Sequence, residues 1–232
     1  MNDENAARVA LRARVLALIG DGPIPRLREA LTHPSYANET SCPHNQRLEF
    51  LGDAVLGLCV SELLVAAYPK ADEGLLSRMR SALVNADALA AWARRIDLGD
   101  AMDVGRGARS DRYRTNVLAD AVEALVAAVY DARGLDGARA LVRHVVGEGL
   151  VNAAALGERD PKSALQERVQ ARGQPSPWYR VVASHGPVHA QVFEVEVLVA
   201  DVVVGRGEGP SKRLAERAAA QAALAAETDG AA

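Results

Sequence analysis

The chain has 232 residues, a formal net charge of −3 at pH 7 and 49% hydrophobic residues. This length allows one large or two modest domains with ample cores, and the slightly acidic balance excludes a protein that binds nucleic acid over its whole surface. Two cysteines, Cys42 and Cys59, are too few for a disulfide framework, and the polar opening MNDENAARVA is unlike a signal peptide. These features predict a soluble cytoplasmic protein.

Helical periodicity extends to about residue 150, with almost no strand signal. The predicted helices cover roughly Asn5–Ile19, Pro25–Leu31, Gln46–Ala67, Asp72–Ile96, Asn116–Tyr130 and Leu135–Leu150. Two polar segments rich in turn-forming residues, Thr32–Asn45 and Gly99–Arg114, are predicted loops. The second loop also carries four arginines, Arg106, Arg109, Arg112 and Arg114. The apolar runs are interrupted by Gly, Asp, Ser and Glu, so neither is predicted to span a membrane.

The composition changes after residue 152, where the segment 153–160 is a predicted linker. Asp160 and Pro161 are typical of a helix start, an N-cap followed by proline at the first helical position, and this helix should end near Arg172. Three strands are predicted at Trp178–Ser184, Gln191–Ala200 and Val202–Arg206, followed by a Gly-rich turn and a last helix from Ser211 to about Glu227. The order helix, three strands, helix predicts a small α+β domain.

Two pairs of acidic residues lie in helices that should otherwise be buried. Glu49 and Asp53 belong to the run EFLGDAVLGLCVSELLVAA, and Asp120 and Glu123 to VLADAVEALVAAVY. Spacings of four and three place both members of a pair on one helical face, where like charges repel, and burying unpaired carboxylates is costly. If the two helices pack side by side, the four acids converge on a site suited to Mg²⁺ or Mn²⁺.

An exposed acidic stripe, or acids neutralised by arginines such as Arg47, Arg78 or Arg80, is the alternative interpretation, and for one pair alone it would be favoured. Two pairs in two almost wholly apolar helices favour the metal site. Sites of this kind act on phosphate esters, because the cation neutralises developing charge and supplies a hydroxide nucleophile near neutral pH.

The motif QRLEFLGDAVL at Gln46–Leu56 resembles the signature of the ribonuclease III family. Further similar segments occur in the family's order: LTHPSY at Leu31–Tyr36, DEG at Asp72–Gly74, SRMRSALV at Ser77–Val84 and LADAVEAL at Leu118–Leu125. The similarity extends over nearly the whole chain. It implies an all-α endonuclease domain over residues 1–152, a linker over 153–160 and an α-β-β-β-α double-stranded-RNA-binding domain over 161–228.

Carried over residue by residue, the resemblance implies that Glu49, Asp120 and Glu123 hold Mg²⁺, with Mn²⁺ as a substitute, and that Asp53 and Glu123 are catalytic. Glu73 matches a further acid of the same cleft, contributed across a dimer.

The resemblance also implies a homodimer, in which Phe50 packs into the partner subunit. Many family members have glutamate where this chain has Gln46, so one accessory acid is missing. The four-acid core is intact, and catalysis is therefore still expected.

Lys212 and Arg213 open the last helix, although cations at a helix N-terminus oppose its macrodipole. A docked phosphate would explain them, and a solvated charged face with a Lys212–Glu216 pair explains them equally well. The sequence GEGPSKRLAERAAAQAAL resembles the third conserved region of double-stranded-RNA-binding domains, and HGPVH falls where their first hairpin loop enters the minor groove. The residues that this resemblance places near RNA are Gln166, His189, Ser211, Lys212 and Arg213. Residues 158–232 hold nine lysines and arginines against ten acids, so the affinity must come from a local patch.

The sequence therefore predicts an endoribonuclease that hydrolyses double-stranded RNA to 5′-phosphate and 3′-hydroxyl ends and processes ribosomal, messenger and transfer RNA precursors. A binding module with structural acids is disfavoured by the complete acid set. A phosphohydrolase acting on small molecules is disfavoured by the RNA-binding domain. The expected partners are double-stranded RNA and a second copy of the chain, with no membrane and no small-molecule cofactor.

Overall fold

The computed structural model describes residues 6–157, 160–187 and 191–229, and the chain divides into two compact units, Met1–Glu158 and Arg159–Ala232. Each unit buries its own group of hydrophobic side chains, so each is described by itself.

Apart from one isolated bridge between Thr32 and Asp103, the described part of the first unit consists of helices and turns. The helices are α1 (Ala6–Ile19), α2 (Leu27–Ala30), α3 (Pro34–Thr40), α4 (Gln46–Ala67), α5 (Glu73–Val84), α6 (Ala86–Arg95), α7 (Leu98–Ala101), a 3₁₀ segment (Arg106–Tyr113), α8 (Thr115–Val151) and α9 (Ala153–Leu156).

Local side-chain bonds explain where several helices begin. Asn85 separates α5 from α6, because its side chain accepts a hydrogen bond from the backbone N–H of Ala88 and so caps α6. The sequence predicts one continuous helix here. Within the predicted loop Thr32–Asn45, Pro34 begins α3 and the ring of His33 accepts from the N–H of Ser35. The predicted break between Tyr130 and Leu135 is confined to Gly134, whose φ is +63° inside the single element α8.

The centre of the first unit is the packing of α4 against α8. Leu56 and Val60 of α4 and Val122 and Leu125 of α8 are at most 1% exposed. Helix α4 is long and apolar enough, by length and composition, to cross a membrane. A helix in a protein core has the same character, and Val55, Cys59 and Leu64 of α4 are buried in the hydrophobic core of the first unit.

The predicted linker differs from the structure at its start. Ala153 is buried in the core of the first unit, and Gly157 accepts a hydrogen bond from Arg78 of α5 through its carbonyl oxygen. These contacts attach α9 to the first unit, and the division between the units falls after Glu158.

The second unit contains α10 (Pro161–Ala171), an antiparallel sheet in the order β1 (Trp178–His185), β2 (Val192–Val199) and β3 (Val202–Gly209), and α11 (Lys212–Asp229). Both helices pack with the sheet around Val195 and Val197 of β2. The sequence predicts a turn where β3 continues to Gly209. A Cβ atom at Gly207 would lie 2.1 Å from the backbone nitrogen of Ala219, so the glycines of β3 allow α11 to lie directly against the strand.

Candidate active site

Two long helices supply the acidic side chains of the first unit. Glu49 lies in the first turn of α4, and Asp120 and Glu123 lie near the start of α8. Gly52 makes their approach possible, because a Cβ atom at this position would lie 1.8 Å from the carbonyl oxygen of Glu123. No side chain fits at that distance, so glycine brings the two backbones into contact one turn from the acids.

Glu49, Asp120 and Glu123 converge, and we call them the carboxylate triad. One carboxylate oxygen from each lies within 4.8 Å of the others, and all three side chains are half-buried. Asp53 is exposed and is not part of this group of three, although its charge raises the pKa values of Glu49 and Glu123. The structure therefore brings together three of the four predicted acids and places the fourth beside them.

Burial and mutual repulsion make the charged form of the triad costly. Burial, followed by the negative charges of Asp53, Asp120 and Glu49, raises the pKa of Glu123 to about 7. Burial and then Asp120 and Asp53 raise the pKa of Glu49. The pKa of Asp120 is raised by burial, against a smaller opposing effect of His33. A cation between the three carboxylates would reverse these shifts.

The arginine alternative does not match the geometry. Arg78 donates to the carbonyl of Gly157, Arg80 donates to Ser61, and Arg47 acts electrostatically on Glu29. Among the ion pairs of the described residues, none joins a lysine or arginine to an acid of the triad or to Asp53. Three half-buried carboxylates without a protein cation are a ligand set that fits a hard divalent ion.

Glu73 and Gln46 are not members of the triad. Glu73 is exposed at the first position of α5, where it accepts a hydrogen bond from Ser77 at 2.8 Å. Gln46 is exposed at the first position of α4.

Phe50 is the most exposed large hydrophobic side chain in the described structure, at 83%. It borders an open hollow whose other lining residues include Pro43, His44, Arg47 and Leu51. A phenylalanine held in water next to a hollow of this kind is typical of a surface that another protein covers.

Four of the five predicted RNA contacts lie among the described residues of the second unit. Gln166 is exposed on α10, and Ser211, Lys212 and Arg213 are exposed at the start of α11. The hydroxyl of Ser211 accepts from the N–H of Leu214, and Lys212 lies 6.0 Å from the ring centre of Phe193. The fifth, His189, lies outside the described residues.

Acidic side chains pair with basic residues close to the start of α11. Lys162 pairs with Glu216 at 2.5 Å and lies 4.5 Å above the ring of Tyr179, while Arg217 pairs with Asp160 at 3.3 Å. These pairs join the starts of α10 and α11 and reduce the positive charge available to an anion.

Sequence reasoning gave no role to His33, which lies inside the quoted segment LTHPSY. Its pKa is lowered by burial, and the charges of Asp111 and Asp120 oppose this shift. Its Nδ1 is 2.8 Å from the hydroxyl of Ser35, which accepts from the N–H of Gly105. These contacts link the start of α3 to Gly105, the residue that precedes the arginine-rich 3₁₀ segment.

Comparison with known proteins gives matches in both units. A family model described as Ribonuclease-III-like matches residues 26–149, and one described as double-stranded RNA binding motif matches residues 161–226. A Ribonuclease 3 of Myxococcus xanthus is 46% identical over 202 residues, covering 84% of this chain and 78% of the relative. A Ribonuclease 3 of Phenylobacterium zucineum is 43% identical, covering 97% and 94%.

Solved structures give the same result for the first unit. The nuclease domain of a ribonuclease III from Campylobacter jejuni, described for flexibility in a region involved in dimer formation, is 32% identical with a TM-score of 0.54. It covers 60% of this chain and 96% of that domain. A second structure of the same nuclease domain is 31% identical with a TM-score of 0.53.

Proposed function

Because the chain belongs to the ribonuclease III family and is an endoribonuclease, we propose that it hydrolyses phosphodiester bonds of double-stranded RNA with the carboxylate triad and leaves 5′-phosphate and 3′-hydroxyl ends. The observation that supports this most is the triad itself, which has no cationic partner among the described side chains and shares a chain with a double-stranded-RNA-binding motif.

We propose that Glu49, Asp120 and Glu123 hold Mg²⁺, or Mn²⁺ in its place. Such a cation, when bound, neutralises charge on the reacting phosphate and makes water a stronger nucleophile. The three side chains fix the position of the reacting group, since they belong to two helices in backbone contact at Gly52. Asp53, which is exposed and whose charge acts on Glu49 and Glu123, is the proposed acceptor of a proton from a water molecule. Glu123 has the same proposed catalytic role from within the triad.

RNA binding is assigned to the second unit through Gln166, His189, Ser211, Lys212 and Arg213. The start of α11 combines a helix N-terminus with the cations of Lys212 and Arg213, which suits a phosphate group. We propose that Arg106, Arg109 and Arg112 of the 3₁₀ segment, and Arg114 directly after it, are further contacts to the RNA backbone.

A homodimer is the proposed assembly, with Phe50 as its anchor. Leu58 and Val65 continue an apolar surface along α4 and are 49% and 59% exposed. A second copy of the chain would cover this surface and bring another Glu73 towards the cleft. The proposed setting is the cytoplasm, where the enzyme would process ribosomal, messenger and transfer RNA precursors.

The test is cleavage of a long RNA duplex by the purified full chain in the presence and absence of Mg²⁺. We expect cleavage with Mg²⁺, no cleavage in EDTA, and fragments that carry 5′-phosphate ends. Glu123→Gln should retain duplex binding and lose at least about a hundredfold in cleavage rate. Intact duplex under all conditions, or cleavage that persists in EDTA, would contradict the proposal.

A further inference from the structure

A pocket of about 330 Å³ lies in the first unit between α1, α6 and the second half of α8. None of its lining residues belongs to the carboxylate triad or borders Phe50. Its inner wall is formed by Leu11, Val15, Trp92 and Leu141, each at most 2% exposed. The volume and the apolar wall are those of a small-molecule site.

The lining of the pocket includes the polar groups of Trp92, His144 and Arg14. The indole N–H of Trp92 donates to Nδ1 of His144 at 3.1 Å, so the neutral imidazole carries its proton on Nε2 and offers it as a donor. The guanidinium of Arg14 is 52% exposed and lies 4.0 Å from Asp97, at the limit of an ion pair. This weak pair leaves Arg14 able to bind another anion.

Arg14 is the charged residue of the pocket lining, so the lining favours an anion over a cation. An amine would be repelled by Arg14, whereas a carboxylate would gain a charged partner there and a hydrogen bond from His144.

We propose that this pocket binds a small amphiphilic carboxylate, with its hydrocarbon part against Trp92, Leu11 and Leu141 and its carboxylate between Arg14 and Nε2 of His144. The ligand class follows from the lining, since burial of the hydrocarbon provides affinity and the two polar groups fix its orientation. The site is separate from RNA cleavage, and its occupancy does not depend on the proposed nuclease function.

The chain contains its own reporter for this site. Its two tryptophans are Trp92 in the pocket wall and Trp178 in the second unit. In the Trp178→Phe full chain, Trp92 is the one remaining tryptophan. Under excitation selective for tryptophan, octanoate should change its emission to a saturating value. Octanol should bind about tenfold more weakly, because it lacks the charge-assisted contacts.

Matched variants locate the carboxylate. Arg14→Gln should weaken octanoate binding about tenfold and leave octanol binding unchanged, whereas Arg12→Gln, on the same helix but outside the lining, should change neither. Ala17→Phe, at an exposed lining position, should abolish binding of both molecules by filling the opening. The proposal is overturned if octanoate gives no saturable change, if octanol binds equally well, or if Arg12→Gln weakens binding as much as Arg14→Gln.

Discussion

Glu123 belongs to a helix in the centre of the first unit, and its charge is therefore unfavourable without a cation. Burial and three neighbouring acids raise its pKa to about 7, above the ordinary value of 4.5 that it has in the unfolded chain. Between these two pH values the folded state binds more protons, so stability falls as the pH rises from about 4.5 to about 7. At higher pH the folded protein keeps the full loss of stability caused by the charged Glu123.

Glu123→Gln should remove this penalty in the metal-free protein. We expect its melting temperature to exceed that of the parent chain by about 3–5 °C at pH 8 and to match it at pH 4, where both side chains are neutral. Addition of Mg²⁺ should raise the melting temperature of the parent far more at pH 8 than at pH 5.5, since the carboxylates must lose protons to bind the ion. Calorimetry measures both effects.

Glu148→Gln, at an exposed position of α8, is the control, and a similar pH-dependent gain in melting temperature there would contradict this account.

Gly52→Ala should damage the site without altering any acid. The added methyl group would lie 1.8 Å from the carbonyl oxygen of Glu123 and must push α4 and α8 apart. We expect a loss of about 2–3 kcal/mol in the free energy of unfolding and at least about a tenfold loss in cleavage rate.

Gly57→Ala is the matched control, because nothing lies within 4 Å of its Cβ position on the same helix. It should stabilise α4 slightly, by about 0.5 kcal/mol. Equal effects of the two changes would contradict a special role for Gly52.

At the scale of elements, hydrophobic periodicity predicted α4 with the bounds that the structure has, and the α-β-β-β-α order of the second unit is confirmed. The predicted helix bounds were wrong where a single side chain determines where a helix begins. Asn85 divides one predicted helix into two, and His33 and Pro34 form a helix inside a predicted loop. The convergence of Glu49 with Asp120 and Glu123 could be predicted only on condition that α4 and α8 pack together. Sequence spacing carries no information about that tertiary contact.

The contacts between α10 and α11 predict how RNA affinity is tuned. Glu216 holds Lys162 and adds a negative charge one turn after Lys212. Glu216→Gln should tighten duplex binding about threefold at moderate salt and make the salt dependence steeper by about one unit in the slope of log K against log salt. Filter binding or fluorescence anisotropy measures both quantities.

Glu208→Gln is the control, because it makes the same charge change on β3. Glu208 lies opposite Glu194 on the sheet face away from the helices, and its substitution should leave RNA affinity unchanged. If both variants tighten binding equally, net charge and not the Lys162 pair is responsible.

At the scale of the whole molecule, the two units have separate cores and separate proposed tasks. The division into two domains was expected from the change in composition after residue 152, and their separate tasks from the family resemblance, whereas the attachment of α9 to the first unit could not be predicted. That attachment depends on the burial of Ala153 and on the bond from Arg78 to Gly157, which join residues distant in sequence.

Removal of residues 159–232 tests this division, because the cut falls after α9 and leaves the core of the first unit complete. The shortened chain should keep Mg²⁺-dependent cleavage of duplex RNA at low salt, since the triad and the 3₁₀ segment are unchanged. As salt rises, it should lose activity at lower concentrations than the full chain does, because it has fewer phosphate contacts to hold the substrate. Initial cleavage rates at a series of salt concentrations provide the measurement, and circular dichroism confirms that the shortened chain is folded. Identical salt profiles for the two chains would show that the second unit does not hold the substrate during cleavage.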